Sequence, residues 1–219
     1  MNQKEALEIW KSKSPFSHGK RGIVSKSSDG KYLIKEKKPD STSPGTIRNE
    51  YEYNLKLNRI KIGPRMIYYD DKNDFLIREF VNGKTINEYF GKIKKELSKK
   101  AIKLEIKKII LNIFEQCRRM DVAKINKFEM TNPYKDLIID EKTKEPIIID
   151  FERCRHSENP KNTTQFCQFL IKGKMKQELG QINIFIDDKK IIKLAEDYKK
   201  EQSENNFKKI KKEIEEKFR

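Results

Sequence analysis

The chain of 219 residues is 35% hydrophobic and 38% charged, and 50 Lys and Arg residues against 34 Asp and Glu give a formal net charge of +16. No stretch approaches the roughly 20 consecutive apolar residues of a membrane span, and the first residues lack the apolar segment of a signal peptide. We therefore expect a cytoplasmic protein without a membrane partner, and the three cysteines, which lack CxxC spacing, argue against a zinc site.

Short periodic segments in the first 82 residues predict a β-rich N-terminal lobe. The pair Asp29-Gly30 is a strong signal for a two-residue hairpin turn between two strands. Asn82-Gly83 then breaks the chain, and we place the boundary between the two lobes there, with residues 1–82 before it and 83–219 after it. The predicted elements in chain order are a helix over Lys4–Lys13, strands over Ile23–Ser28 and Lys31–Lys37, a helix from Thr46 to Gly63-Pro64, and strands over Met66–Tyr69 and Phe75–Val81.

The remaining residues predict a mainly helical C-terminal lobe. The segment Lys99–Met120 has apolar residues at helical spacing over its whole length. A non-helical stretch over Asn126–Lys135 then precedes a small hairpin that ends at Asp150-Phe151, and the chain from Asn162 onward is again helical in pattern. The fold class that we predict is α+β.

Four segments of this arrangement match a known motif order. They are Gly19-Lys20-Arg21-Gly22 before a strand, Lys35 at the end of Tyr32-Leu33-Ile34-Lys35, Glu50 on the following helix, and Asp150-Phe151-Glu152 after the apolar run Ile147-Ile148-Ile149. In this order they resemble the protein-kinase superfamily over roughly residues 15–170. The resemblance implies a two-lobed protein-kinase-like fold, with a β-rich N-lobe and a short, mainly helical C-lobe, that binds ATP and Mg.

The resemblance implies a role for each N-terminal motif. Gly19, Lys20, Arg21 and Gly22 stand where kinases place the loop over the ATP phosphates, since glycines let backbone N–H groups approach an anion. Lys35 resembles the strand lysine that holds the α- and β-phosphates, and Glu50 would pair with it; Glu52 on the same helix is the alternative. The backbone of Glu79 and Val81 stands at the hinge that binds adenine, although a simple strand followed by a turn has the same sequence.

Asp150 is the candidate magnesium ligand. A carboxylate at the end of an apolar strand costs free energy unless a cation or hydrogen-bond donors satisfy it. The segment Asp150-Phe151-Glu152 resembles the Asp-Phe-Gly motif of kinases, in which this aspartate binds the magnesium that bridges the phosphates. Glu152 replaces the glycine of that motif.

The catalytic loop departs from the kinase pattern, because no His-Arg-Asp precedes the strand Leu137-Ile138-Ile139. Counting back from this strand places Asp136 where kinases have an asparagine, and we interpret it as a second magnesium ligand. The same count places Thr131 at the catalytic aspartate, and threonine is no general base. A two-residue insertion places Glu129 there instead, as a base for the acceptor hydroxyl; the alternative is a surface carboxylate.

The segment from Asp150 to Phe166 looks like that of small archaeal kinase-like proteins, which are related to the RIO kinases and to the kinase subunit of the KEOPS tRNA-modification complex. This resemblance implies an atypical serine/threonine-kinase-like protein that transfers the phosphoryl group of ATP to a protein substrate or to water. The alternative is a pseudokinase whose basic surface binds RNA, a ribonucleoprotein or a protein partner. A lysine-rich composition also arises without any such partner.

Overall fold

The computed structural model of the chain describes residues 1–18, 22–38 and 46–219. Within these ranges the chain is α+β, with the strands concentrated in the N-terminal part and the helices in the C-terminal part, which confirms the predicted class. The elements are α1 (Gln3–Lys11), β1 (Ser14–His18), β2 (Gly22–Lys26), β3 (Tyr32–Lys37), α2 (Thr46–Arg59), β4 (Met66–Asp70), β5 (Phe75–Glu79), β6 (Gly83–Thr85), α3 (Ile86–Glu96), α4 (Lys99–Val122), β7 (Ile125–Lys127), β8 (Leu137–Asp140), β9 (Pro146–Ile148), β10 (Cys154–His156), α5 (Asn162–Ile171), α6 (Gly173–Gly180), α7 (Asp188–Lys200) and α8 (Glu204–Glu216).

The chain divides into two compact units. The first consists of Met1–Asn82 together with Ile147–Cys154, and the second of Gly83–Pro146 together with Arg155–Arg219. The short stretch Ile147–Cys154, which the sequence analysis places in the C-terminal lobe, thus has most of its contacts with the N-terminal unit. This stretch carries Asp150, so the candidate magnesium ligand belongs to the same unit as Lys35 and Glu50.

The first unit contains a five-stranded antiparallel sheet in the order β1-β2-β3-β5-β4. The predicted hairpin joins β2 to β3, and Gly30 has a φ of 73°, a conformation that glycine adopts without steric cost. The edge strand β1 was not predicted, because Ser14-Pro15 reads as the end of the preceding helix. Proline is tolerated at an edge, where its missing N–H removes no hydrogen bond from the centre of the sheet.

Both faces of this sheet are covered by a helix. On one face Ala6 of α1 packs with Ile34, Phe75 and Ile77, and the ring of Trp10 stacks on Phe75 at a centroid distance of 5.1 Å. The opposite face carries a second cluster, formed by Ile47 of α2 with Met66 and Leu76. Because β5 is buried on both sides, it reads in the sequence as a continuous apolar run and not as an alternating one.

The second unit is organised around the 24-residue helix α4, whose apolar residues face α5 and α8. The rings of Phe114 and Phe207 stack at 4.7 Å in this core. Among the described residues, no helix combines the length with the apolar character that crossing a membrane requires.

A buried aspartate ties the start of α5 to the end of α4. The backbone N–H groups of Asn162 and Thr163 donate to the carboxylate of Asp121, as do the Asn162 side chain and the hydroxyl of Tyr198. These donors satisfy a carboxylate that is otherwise expensive to bury. The start of α5 is thereby held against the end of α4, and β7 follows α4 directly in the sequence.

Candidate functional site

The ammonium group of Lys35 lies among three carboxylates of the first unit. Its Nζ is 2.5 Å from Oε2 of Glu50, 3.3 Å from Oδ1 of Asp150 and 3.2 Å from Oε2 of Glu152. The side chains of Lys35 and Glu50 are 12% and 1% exposed, whereas that of Asp150 is 42% exposed. The three donors of the ammonium therefore each meet one carboxylate, and Asp150 forms the open side of the cluster.

Helical spacing on α2 decides which glutamate reaches Lys35. Ile47, Glu50, Asn54 and Leu57 recur every three or four residues and are the buried side chains of this helix. Glu52 points away and contacts Arg48 at 3.1 Å on the exposed face. Glu50, which the sequence favours over Glu52, is therefore the glutamate that lies beside Lys35 in the structure.

Two further residues of this unit hold the segment that carries Asp150. The side-chain amide of Asn49 donates to the backbone carbonyls of Glu152 at 2.8 Å and of Cys154 at 3.0 Å. Gly63 has a φ of 77°, and a Cβ atom there would lie 2.6 Å from the ring of buried Phe151. Since no other residue fits so close to this ring without a shift, Gly63 sets the position of Phe151 and hence of its neighbours Asp150 and Glu152.

The electrostatic balance of the cluster favours the charged form of the lysine. Burial by itself lowers the pKa of Lys35, but attraction to Glu50, then Asp150 and Glu152, outweighs it and raises the pKa well above its usual value. Arg78 on β5 is buried nearby; burial lowers its pKa, and Glu50 and Asp150 act in the opposite direction. The carboxylates of Glu50 and Asp150 thus act on both cations, and that of Glu152 acts on Lys35.

Asp150 has a φ of 63°, in the left-handed region that most side chains avoid. Aspartate and asparagine enter this region more readily than other non-glycine residues, because their short polar side chains bond locally. Such backbone geometry is concentrated at functional sites, where the surrounding structure maintains it. Asn49 and Gly63 are the described residues that provide this support.

The donor set of the cluster suits a hard divalent cation. Carboxylate oxygens of Glu50, Asp150 and Glu152 all lie within 4.8 Å of one another. Oxygen ligands of this kind are those that Mg²⁺ prefers. Glu50 is buried against Lys35, so the two carboxylates that could take a metal are those of Asp150 and Glu152.

The candidate catalytic-loop residues belong to the second unit. Glu129 is exposed and has a φ of 79°, and its carbonyl accepts the N–H of Asn132 in a tight turn. The carboxylate of Asp136 lies 2.8 Å from the ammonium of Lys127, whose side chain is only 3% exposed. Asp136, the predicted second metal ligand, therefore forms a partly buried ion pair with a lysine of its own unit.

The predicted nucleotide-binding loop and hinge are described only in part. Gly19, Lys20 and Arg21 lie outside the described residues, and Gly22 begins β2. The backbone N–H of Glu79 donates to the carbonyl of Arg65, and its side chain contacts the Arg65 guanidinium at 2.9 Å. Val81 lies half-buried between β5 and β6, in a segment without regular secondary structure.

Sequence reasoning missed Glu152, Asn49 and Lys127 as members of these clusters. Glu152 was interpreted only as a replacement for the glycine of the kinase motif, although it stands two residues after Asp150, close enough in the sequence to reach the same cluster. The position next to Glu50 could have drawn attention to Asn49, but its partners lie more than a hundred residues away. In a chain with 50 Lys and Arg residues, no local signal distinguishes Lys127 from the other lysines.

No protein-family model and no curated protein sequence matches the chain. Among solved structures, the chain is similar to the autoinhibited serine kinase domain of the giant muscle protein titin, with 20% sequence identity and a TM-score of 0.47. The match covers 68% of this chain and 47% of that one, so the chain spans about half the length of this structure.

Proposed function

We propose that the chain is an atypical serine/threonine-kinase-like protein that binds ATP with magnesium. The observation that carries this proposal is the Lys35 ammonium held 2.5 Å from buried Glu50, beside the more exposed Asp150. Kinases use a strand lysine paired with a helix glutamate to bind the α- and β-phosphates, and an aspartate to bind the metal. The three types of residue stand here in one unit, in the chain order of that family.

In this proposal Lys35 is the phosphate-binding cation. Its three carboxylate partners keep it protonated, and Glu50 fixes the position of its Nζ from the buried side. The carboxylates of Asp150 and Glu152 lie beside Lys35 and would repel a free triphosphate, which is itself an anion. A cation bound with the nucleotide would offset this repulsion, which supports a Mg²⁺ complex of ATP as the ligand.

Asp150 and Glu152 are the residues that we propose to hold the metal. When bound, Mg²⁺ would neutralise charge on the phosphates and orient them. Glu152 replaces the glycine of the kinase motif, so the chain would supply a second carboxylate from the same segment. Asn49 and Gly63 are positioning residues in this proposal, since they hold the backbone from which both carboxylates project.

Phosphoryl transfer would break the bond between the γ-phosphorus and the β–γ bridging oxygen and release ADP. The acceptor would be a serine or threonine hydroxyl or a water molecule, and Glu129 is the residue that we propose to accept its proton. Because such reactions depend mainly on positioning and charge stabilisation, a weak base is sufficient. The short segment between Asp150 and α5 supports the closer relation to the RIO and KEOPS kinases, which lack a long activation loop.

One observation favours the second candidate, a pseudokinase that acts as a basic binding module. The carboxylate of Asp136 already has a buried cationic partner in Lys127, so a metal would have to compete with this ammonium. Loss of one metal ligand would weaken catalysis without abolishing nucleotide binding at Lys35 and Asp150. The net charge of +16 supports a polyanionic partner for such a module.

Thermal unfolding with and without Mg-ATP tests nucleotide binding. At about 100 times its dissociation constant, the ligand stabilises the fold by about 2.7 kcal/mol, which raises Tm by about 5–10 °C. We expect this shift for the wild type and its loss in Lys35→Ala and Asp150→Asn. A folded wild-type protein without any shift would refute ATP binding.

Transfer of radiolabel from γ-labelled ATP then separates the two candidates. If Glu129→Gln lowers the rate at which the labelled phosphate leaves ATP at least tenfold, and the Mg-ATP shift in Tm is unchanged, catalysis by Glu129 is supported. Equal activity in Glu129→Gln would exclude it as the base. A Mg-ATP shift without any ADP formation would favour the pseudokinase.

A further inference from the structure

A basic groove of about 520 Å³ lies in the second unit, formed without any residue of the Lys35 cluster. Five cationic side chains line it and, among the described residues of this lining, there is no acidic side chain. These cations are Lys99, Lys100, Lys103 and Lys107 on α4, and Arg219 beyond α8. In a chain with 34 acidic residues, such a one-signed lining points to an anionic partner.

The arrangement of these lysines works against the stability of their own helix. Lys99 and Lys103, and Lys103 and Lys107, are four residues apart, and like charges at this spacing repel each other. Lys99 and Lys100 also lie in the first turn of α4, which has no acidic residue although the helix dipole favours one there. An anionic ligand in the groove would relieve both unfavourable interactions.

The groove also has an apolar part, which a purely electrostatic partner would not require. Leu104 is 70% exposed between the lysines, and Ile182 and Phe218 line the same groove. Asn183, with a φ of 57°, makes the tight turn after α6 that places Ile182 there. A bulky apolar side chain of a partner would cover the exposed face of Leu104 and remove it from water.

We propose that this groove binds an acidic, amphipathic protein segment, whose carboxylates contact the lysines and whose apolar side chain packs on Leu104 and Phe218. The groove has one aromatic ring, Phe218, and one arginine, Arg219, and the rest of its apolar lining is aliphatic. This favours a peptide over RNA, because single-stranded nucleic acids are held by stacking of successive bases on several aromatic rings and arginine planes. Four of the five cations here are lysines. The groove makes the second unit a docking module, independently of whether the first unit binds nucleotide.

The probe is a fluorescein-labelled amphipathic peptide with glutamates on one helix face and leucines with one phenylalanine on the other. Its binding to the full chain is measured by fluorescence anisotropy at about 0.1 M salt, where charges separated by more than about 10 Å are screened. The groove variant carries Lys100→Glu, Lys103→Glu and Lys107→Glu. The matched control carries Lys189→Glu, Lys193→Glu and Lys200→Glu on the exposed face of α7, which gives the same change in net charge.

We expect the groove variant to bind the peptide about tenfold or more weakly, and the control to stay within about twofold of the wild type. Leu104→Ser removes an exposed side chain without a change in charge, and we expect it to weaken binding about tenfold. A second groove variant with glutamines in place of the three lysines keeps the test valid if the charge reversal lowers Tm.

Three outcomes would overturn the proposal. Equal losses in the groove and control variants would mean that only net charge attracts the peptide. The apolar contact would be refuted if a polyglutamate of equal charge binds as tightly as the amphipathic peptide and Leu104→Ser has no effect on binding. An RNA oligonucleotide of equal charge that binds more tightly than the peptide and is lost in the groove variant would assign the surface to RNA.

Discussion

Neutralising Glu50 or Asp150, each in a separate variant, should change the stability of the unliganded protein by very different amounts. Glu50 is 1% exposed and lies 2.5 Å from Nζ of Lys35, whereas Asp150 is 42% exposed and lies 3.3 Å away. Both Glu50→Gln and Asp150→Asn remove one negative charge and keep the size of the side chain. We expect the first to destabilise the unliganded protein clearly and the second to leave its stability almost unchanged.

The magnitudes follow from burial and from the remaining partners. Removing one member of a buried ion pair costs about 3–5 kcal/mol, and Lys35 would still contact Asp150 and Glu152, so we expect about 2–3 kcal/mol for Glu50→Gln. For a protein of this size that corresponds to a fall in Tm of about 5–10 °C. Asp150→Asn removes a weak, solvent-screened contact with Lys35, but it also relieves repulsion among the carboxylates. Asparagine adopts the positive φ of this position readily. We therefore expect Tm to change by no more than about 2 °C.

The assay is thermal unfolding at neutral pH without nucleotide or divalent cations, followed by circular dichroism. Glu52→Gln is the control, since Glu52 lies on the exposed face of the same helix and should change the free energy of unfolding by less than about 0.5 kcal/mol. A fall in Tm for Asp150→Asn that equals or exceeds the fall for Glu50→Gln would refute the reasoning. It would mean that Lys35 depends mainly on the open side of the cluster.

Three further outcomes test the supports of the site and the second unit. Gly63→Ala should destabilise the fold by about 2–4 kcal/mol, because the position has a positive φ and a Cβ there would clash with the Phe151 ring. Gly91→Ala is the control, since Gly91 lies on α3 with open space around it, and it should stabilise the fold by about 0.5–1 kcal/mol. Equal melting curves for the two variants would contradict this. Asn49→Asp, which turns a donor to two carbonyls into an acceptor, should cost about 2 kcal/mol in urea unfolding and weaken Mg-ATP binding, and unchanged values for both would exclude a positioning role. Burial raises the pKa of Glu213, but its hydrogen bonds and ion pairs with Lys190 and Lys217 have the larger effect, so the pKa is lowered overall. The ionised Glu213 therefore stabilises the fold above the unfolded pKa of about 4.3, and this stabilisation is lost as the pH falls through the folded pKa. The fall in Tm below about pH 5 should therefore be shallower in Glu213→Gln than in the wild type.

The elements that the sequence predicted correctly are those with local causes. Asp29-Gly30 specifies a hairpin because its turn geometry needs residues that tolerate positive φ. The apolar period of Lys99–Met120 specifies α4, since each turn repeats the same buried face. The position of Asp150 after an apolar strand is also a local signal, because burial of a lone carboxylate is costly, and its role as a metal ligand stays a prediction.

Only the tertiary structure decided which partners these residues meet. Lys35 and Glu152 are 117 residues apart, and Asn49 and Cys154 are 105 apart, so no local pattern could specify either contact. Helical spacing favours Glu50 over Glu52, but the contact with Lys35 depends on which face of α2 packs on the sheet. Packing of distant segments likewise decides that Lys127 is buried beside Asp136, whereas other lysines line a groove with Leu104. Composition alone does not distinguish these lysines from one another.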